Sequence, residues 1–156
     1  MNAIGIDDIE DLALGAVVLG AGGGGDPHIA MLMLRQAIEK SGPVQVVHPD
    51  DLDPEAAVFP IAMVGAPTVV VEKFPSGAEF EIVLRELSDR VGTAPAAVVA
   101  LESGGLNALF PLAVAAELGL PCVWINRLDE SSDLPRAGEL PNLSGLPPAL
   151  DALVPR

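Results

Sequence analysis

The run Gly20-Ala21-Gly22-Gly23-Gly24-Gly25 constrains this chain more than any other feature. Glycine loses more backbone freedom on ordering than any other residue, so helices and strands stop at such a run. One element must end before it and another begin after it. Before it, Ile9, Leu12, Ala13, Ala16 and Val17 recur at helical spacing, with Asp7 or Asp8 as a cap. A short buried strand over Ala16–Leu19 is the rival reading. After it, Asp26 suits an N-cap and Pro27 the first helical position. A helix from His28 to Lys40 should follow, its apolar face drawn from Ile29, Leu32, Met33, Gln36 and Ala37, with Gly42 and Pro43 as the stop.

The remaining chain alternates strand and helix signals. Val44–His48 is a β-branched strand, and residues 50–55 form an acidic loop or single turn. Ala56–Val64 and Thr68–Val71 are strand-like, divided by the turn Gly65-Ala66-Pro67. Ser76-Gly77-Ala78-Glu79 is a capping-box pattern. It opens a helix whose apolar residues are Phe80, Val83, Leu84, Leu87 and Val91, ending at Gly92. Ala96–Leu101 is a buried strand broken by Glu102-Ser103-Gly104-Gly105. A helix to Leu118 follows, with Pro111 placed in its first turn, and Pro121–Ile125 is the next strand. Such a strand–helix–strand unit predicts a parallel pair with a right-handed crossover. The fold class is α/β, with a mixed or mostly parallel sheet, flanking helices and an irregular Pro-rich C-terminal tail. The domain spans residues 1–123, and residues 124–156 form the tail, which holds five of the 15 prolines.

Charge and composition exclude several functions. The net charge is −14, and residues 1–123 alone carry 17 acids against 5 bases. Such a surface repels phosphate backbones and anionic lipid, so no nucleic acid and no membrane are expected as partners. Four Phe, one Trp and no Tyr leave little for base stacking. The single cysteine, Cys122, rules out an internal disulfide framework and fits a reducing, cytoplasmic compartment. It reads as a small buried hydrophobe inside a strand. No basic segment followed by an apolar stretch opens the chain, which also fits a cytoplasmic location.

Chemistry-bearing residues cluster at element ends. The glycine run satisfies G-x-G-x-x-G, where glycines would let a pyrophosphate approach a helix N-terminus. Four consecutive glycines meet that pattern easily, and Asp26 would set a negative charge beside the phosphates. Three readings stand: a nucleotide loop, a structural loop, and a loop shaping a site for a different small ligand. Glu72 with Lys73, and Glu102, follow apolar runs and so stand where strands end, the edge at which open α/β sheets bind ligands. A carboxylate there can be a general base or accept a hydrogen bond from a ligand, and Gly104 and Gly105 would leave backbone N–H groups open beside it. The bland reading makes each carboxylate only the solvated end of a strand. Ser103 lacks the G-x-S-x-G context of a nucleophile. Asn107 reads as a helix cap or as a partner for a substrate amide. His28 and His48 read as surface or capping residues, and no metal or cofactor is specified.

Three ordered segments carry a resemblance: Leu19 through Pro27, then Gly65-Ala66-Pro67-Thr68 with Glu72-Lys73, then Glu102 through Asn107. Together they resemble the N-terminal domain of the S-methyl thiohydantoin desulfurase family, which is associated with hydantoinase/oxoprolinase proteins. The resemblance covers about residues 5–123. It implies a hydrolase-like enzyme that cleaves a C–S bond on a small hydantoin-type ring. By that resemblance Glu72, Lys73 and Glu102 are catalytic candidates. Gly22, Gly23, Gly24, Gly25, Asp26, Gly104, Gly105 and Asn107 are candidates for binding the substrate. Glu102 or Glu72 would be the base for water attack on the ring carbon that bears sulfur. Gly-loop N–H groups or Lys73 would stabilise the developing negative charge.

Two departures stand out. His28 replaces a tyrosine common in the family, and the match stops at about Val123, where the family runs on into a further large domain. A truncated or frame-shifted end over residues 124–156 is therefore expected, which leaves the activity of the short chain open. A small-molecule ligand is the expected partner, with a homo-oligomer or a hydantoinase-type protein as further candidates. The alternatives are a non-catalytic ligand- or partner-binding domain and, behind it, a nucleotide-binding module.

Overall fold

The computed structural model describes residues 2–21, 23–65, 72 and 78–124. Its elements are β1 (Asn2–Ile4), α1 (Ile9–Gly20), α2 (His28–Ser41), β2 (Val44–Val47), β3 (Val58–Ile61), α3 (Ala78–Val91), β4 (Ala97–Ala100), α4 (Leu106–Leu118) and β5 (Cys122–Trp124). Single 3-10 turns occupy Ile6–Asp8 and Pro49–Asp51. The five strands form one sheet in the order β1-β2-β5-β4-β3. β1 runs antiparallel to β2, and the other three pairings are parallel. The expected β4–α4–β5 unit is present, with Val98 opposite Cys122 and Val99 opposite Val123. β1 was not foreseen; three residues before Gly5 carry too little pattern to read.

The core is built around α4. Leu106 through Ala116 are buried without a break. A helix apolar on every side must be covered on every side. The sheet covers one side through Phe59, Val98 and Cys122. α2 contributes Ala30, Met33, Leu34, Ala37 and Ile38, and α1 contributes Ile9, Ala13 and Ala16. From α3, Phe80 meets Phe110 edge to face, with centroids 5.0 Å apart. On the opposite face of the sheet, Val47, Ala97, Val99 and Val123 form a smaller cluster with Leu52 and Val58. β4, buried on both faces, therefore reads as a continuous apolar run.

Several expectations are corrected. α1 continues to Gly20, which removes the strand reading of Ala16–Leu19. Its buried face is Ile9, Ala13 and Ala16, while Val17 is exposed. The buried face of α2 includes Ala30, Leu34 and Ile38 in place of Leu32 and Gln36. On α3, Leu84 is buried but Val83 and Val91 are exposed. Pro111 lies beyond the first turn of α4, buried and inside the helix. It removes the N–H that would bond the Asn107 carbonyl one turn earlier. The predicted strand Thr68–Val71, the predicted cap at Ser76 and the tail from residue 125 lie outside the described residues.

Candidate functional site

Parallel strands put their carboxyl ends on one edge, and three loops meet at that edge. The first is the glycine run between α1 and α2. α1 ends in Ala21, which adopts the left-handed conformation at φ 46°. The Gly23 N–H then turns back to donate to the Gly20 carbonyl at 2.6 Å. Asp26 Oδ1 accepts from the His28 N–H at 2.9 Å, and Pro27 already has helical angles. The N-cap of α2 is Pro27, one residue later than the sequence indicated, and Asp26 serves the helix start through its bond to the His28 N–H. Its carboxylate is engaged with backbone, although the residue is exposed.

The second loop joins β4 to α4, and it is locked to the first by backbone alone. The Gly105 N–H donates to the Ala16 carbonyl at 2.9 Å, and the Leu106 N–H donates to the Gly24 carbonyl at 2.8 Å. A Cβ on Gly104 would stand 2.6 Å from Gly20 Cα, and one on Gly24 would stand 2.7 Å from the Gly104 oxygen. The glycines are therefore required because two main chains touch. This corrects the expected open N–H group at Gly105, which is spent, as is that of Leu106. It also weakens the dinucleotide reading, since a helix precedes the run and a second loop occupies the space beside it.

The third loop leaves β3. Met63 is fixed there by the one buried polar side chain among the described residues, Asn107, which is 8% exposed. Asn107 Oδ1 accepts from the Met63 N–H at 2.7 Å, and Nδ2 donates to the Met63 carbonyl at 3.1 Å. Nδ2 also donates to Glu102 Oε1 at 2.6 Å. The Met63 N–H can only donate and its carbonyl can only accept, so the amide orientation is fixed. Asn107 is not the helix cap; Gly105 holds that position, with φ 62°. Both amide hydrogens of Asn107 are used within the protein.

The structure thus brings together Glu102, Gly24, Gly104, Gly105 and Asn107. Gly25 lies beside Leu106, a Cβ there standing 3.9 Å from the leucine's Cβ. Glu102 is exposed, and Asn107 holds one of its oxygens. Glu72 is exposed with a helical backbone, and the predicted strand before it lies outside the described residues. Lys73 and Gly22 lie outside the described residues. His48 is a capping residue: its Nδ1 accepts from the Asp50 N–H at 3.3 Å. Among the described residues no three His, Cys, Asp or Glu side chains converge as a metal site, and no helix is long and apolar enough to cross a membrane. Ala16 and Met63 went unread because they take part through main-chain atoms, which residue type does not reveal.

These features define an α/β domain with a mostly parallel sheet, and the candidate site lies on loops beyond the carboxyl ends of its strands. The chain belongs to the S-Me-THD-like N-terminal domain family, whose model matches residues 7–126. It is also similar to the crystal structure of a protein from Chromobacterium violaceum, with a TM-score of 0.65 and 31% sequence identity. That likeness covers 79% of this chain but 34% of the other, so the chain spans about a third of its solved relative. No curated protein matches it.

Proposed function

We propose that this chain is the N-terminal part of an S-methyl thiohydantoin desulfurase-like hydrolase acting on small hydantoin-type rings. The observation that supports this best is Glu102, an exposed carboxylate at the end of β4 with one oxygen held by a buried amide. In this reading Glu102 takes a proton from water while the water oxygen adds to the ring carbon bearing the S-methyl group. The C–S bond then breaks and the ring carbon becomes a carbonyl; one proton of the water ends on the adjacent ring nitrogen as N–H, and the other leaves with sulfur as methanethiol. Water supplies the oxygen and both hydrogens, so no redox partner is needed. Because Gly105 spends its N–H on α1 and Leu106 spends its N–H on the glycine run, Lys73 is the proposed partner for the developing negative charge. Glu72 is the second candidate base.

The test is methanethiol release from S-methyl thiohydantoins by the wild type, Glu102→Gln and Glu72→Gln. A general base contributes about 10²–10⁴-fold, and a loss of that size in either variant is expected. Full turnover in both variants overturns the reading.

One observation favours a second reading, a partner-binding domain. α1 exposes Leu14, Val17, Val18 and Leu19, with Val18 at 70%. Thermal shift with hydantoins, thiohydantoins, NAD and divalent metals separates the readings. Stabilisation by thiohydantoin supports the hydrolase, and stabilisation by NAD alone would instead support a nucleotide module.

A further inference from the structure

We infer that Asn107 is a positioning residue that sets the orientation of Glu102 and ties it to the loop leaving β3; this rests on the proposed role of Glu102 as base. The side-chain amide has three partners from two different loops. Its pair of bonds with Met63 copies the donor–acceptor pattern of a neighbouring strand, so the chain just past β3 is clamped as if still in a sheet. Its remaining hydrogen goes to Glu102 Oε1. That leaves Oε2 as the oxygen to meet water. Asn107 stands on the first turn of α4, the most buried helix among the described residues, so this geometry is referred to the core and not to a loop.

Every feature of the side chain is used. An aspartate there would keep the bond from the Met63 N–H but lose both donations, and would set one carboxylate against another. A leucine would leave the Met63 peptide without its partner. In Glu102→Gln the side-chain carbonyl oxygen would still accept from Asn107 Nδ2. Geometry and charge at position 102 can therefore be varied separately.

Two measurements on the full chain test the inference. The first needs no turnover. The side-chain amide protons of Asn107, observed by NMR at one fixed pH, should differ in chemical shift between the wild type and Glu102→Ala, where the acceptor at position 102 is gone. Amide protons that Glu102→Ala leaves unchanged overturn the inference alone. The second is a kinetic cycle with Asn107→Ala, and Asn107→Asp as an isosteric variant should the alanine chain not fold. A misplacement near 1 Å costs about 10²-fold. A fall of that order in kcat, with KM little changed, is expected when Glu102 is intact, and no further fall when Glu102→Gln is already present. Equal falls in both backgrounds would mark a purely structural residue and overturn the inference. Equal turnover by wild type and Glu102→Gln overturns the proposed base, and the positioning role in catalysis with it.

Discussion

A Cβ at position 105 would overlap the Gly24 carbonyl, and Gly105 also holds φ at 62°. Gly105→Ala therefore has to separate the two loops as well as strain its own backbone. A loss of about 3 kcal/mol or more is expected, read from urea unfolding. Gly15 is the matched control. It lies inside α1 with nothing within 4 Å of its would-be Cβ. Gly15→Ala should gain about 0.5–1 kcal/mol by restricting the unfolded chain and favouring helix. Both glycines look alike in sequence, and only spatial contact separates them. Cys122 was legible, because a lone cysteine in a strand usually packs as a hydrophobe. Burial pushes its thiol up to about 12 from 9.0, against a smaller lowering by the Ala100 backbone. The folded thiol then keeps its proton while the unfolded one loses it above pH 9.0. Its contribution to stability is thus intact below pH 9.0 and falls by at most about 1.4 kcal/mol per pH unit above it. A Cys122→Ala chain should lack that slope. The native thiol should also resist a disulfide reagent at about pH 8 until the chain is unfolded.

At the scale of elements, α4 carries the fold. Leu109 is fully buried between sheet and helices, and Leu109→Ala should cost about 2–5 kcal/mol. Leu14 sits 67% exposed on α1, and Leu14→Ala should change stability by less than about 0.5 kcal/mol. Denaturant unfolding of the two variants compares them directly. The contrast marks where sequence patterning succeeds and where it stops. Helix α4 was placed correctly from its bounding glycines. Its all-round burial leaves no periodic stripe, so its central position could not be read from pattern. The faces of α1, α2 and α3 were read with errors for a related reason. An apolar stripe says which residues can be buried, but the partner decides which are. α2 turns Ala30 and Leu34 towards α4 and leaves Leu32 to solvent. Small residues such as Ala13, Ala16, Ala30 and Ala37 mark close helix approaches that a hydrophobicity scale underweights. Asn107 was singled out, but its role depends on Met63, 44 residues away in sequence.

The whole molecule combines a net charge of −14 with an uncovered apolar face on α1. The strand–helix alternation revealed the mostly parallel sheet, but nothing local could reveal that β5 inserts between β2 and β4. Order in a sheet is settled by long-range packing. Charge and apolar surface act in opposite directions on association. Mutual repulsion of acidic copies keeps them apart at low salt, and a Debye length falling from about 30 Å at 0.01 M to about 10 Å at 0.1 M removes most of it. The burial of Leu14, Val17 and Val18 against a like surface does not weaken with salt. Self-association should therefore rise with sodium chloride, the reverse of an interface held by ion pairs. Sedimentation velocity at low and moderate salt tests this. The wild type should shift to larger species as salt is added, and a Leu14→Asp, Val18→Asp chain should remain a monomer throughout. A wild type that stays monomeric at every salt concentration would show that the α1 face alone does not drive association between copies. The same face would then be left to a partner of different sequence, as the second functional reading requires.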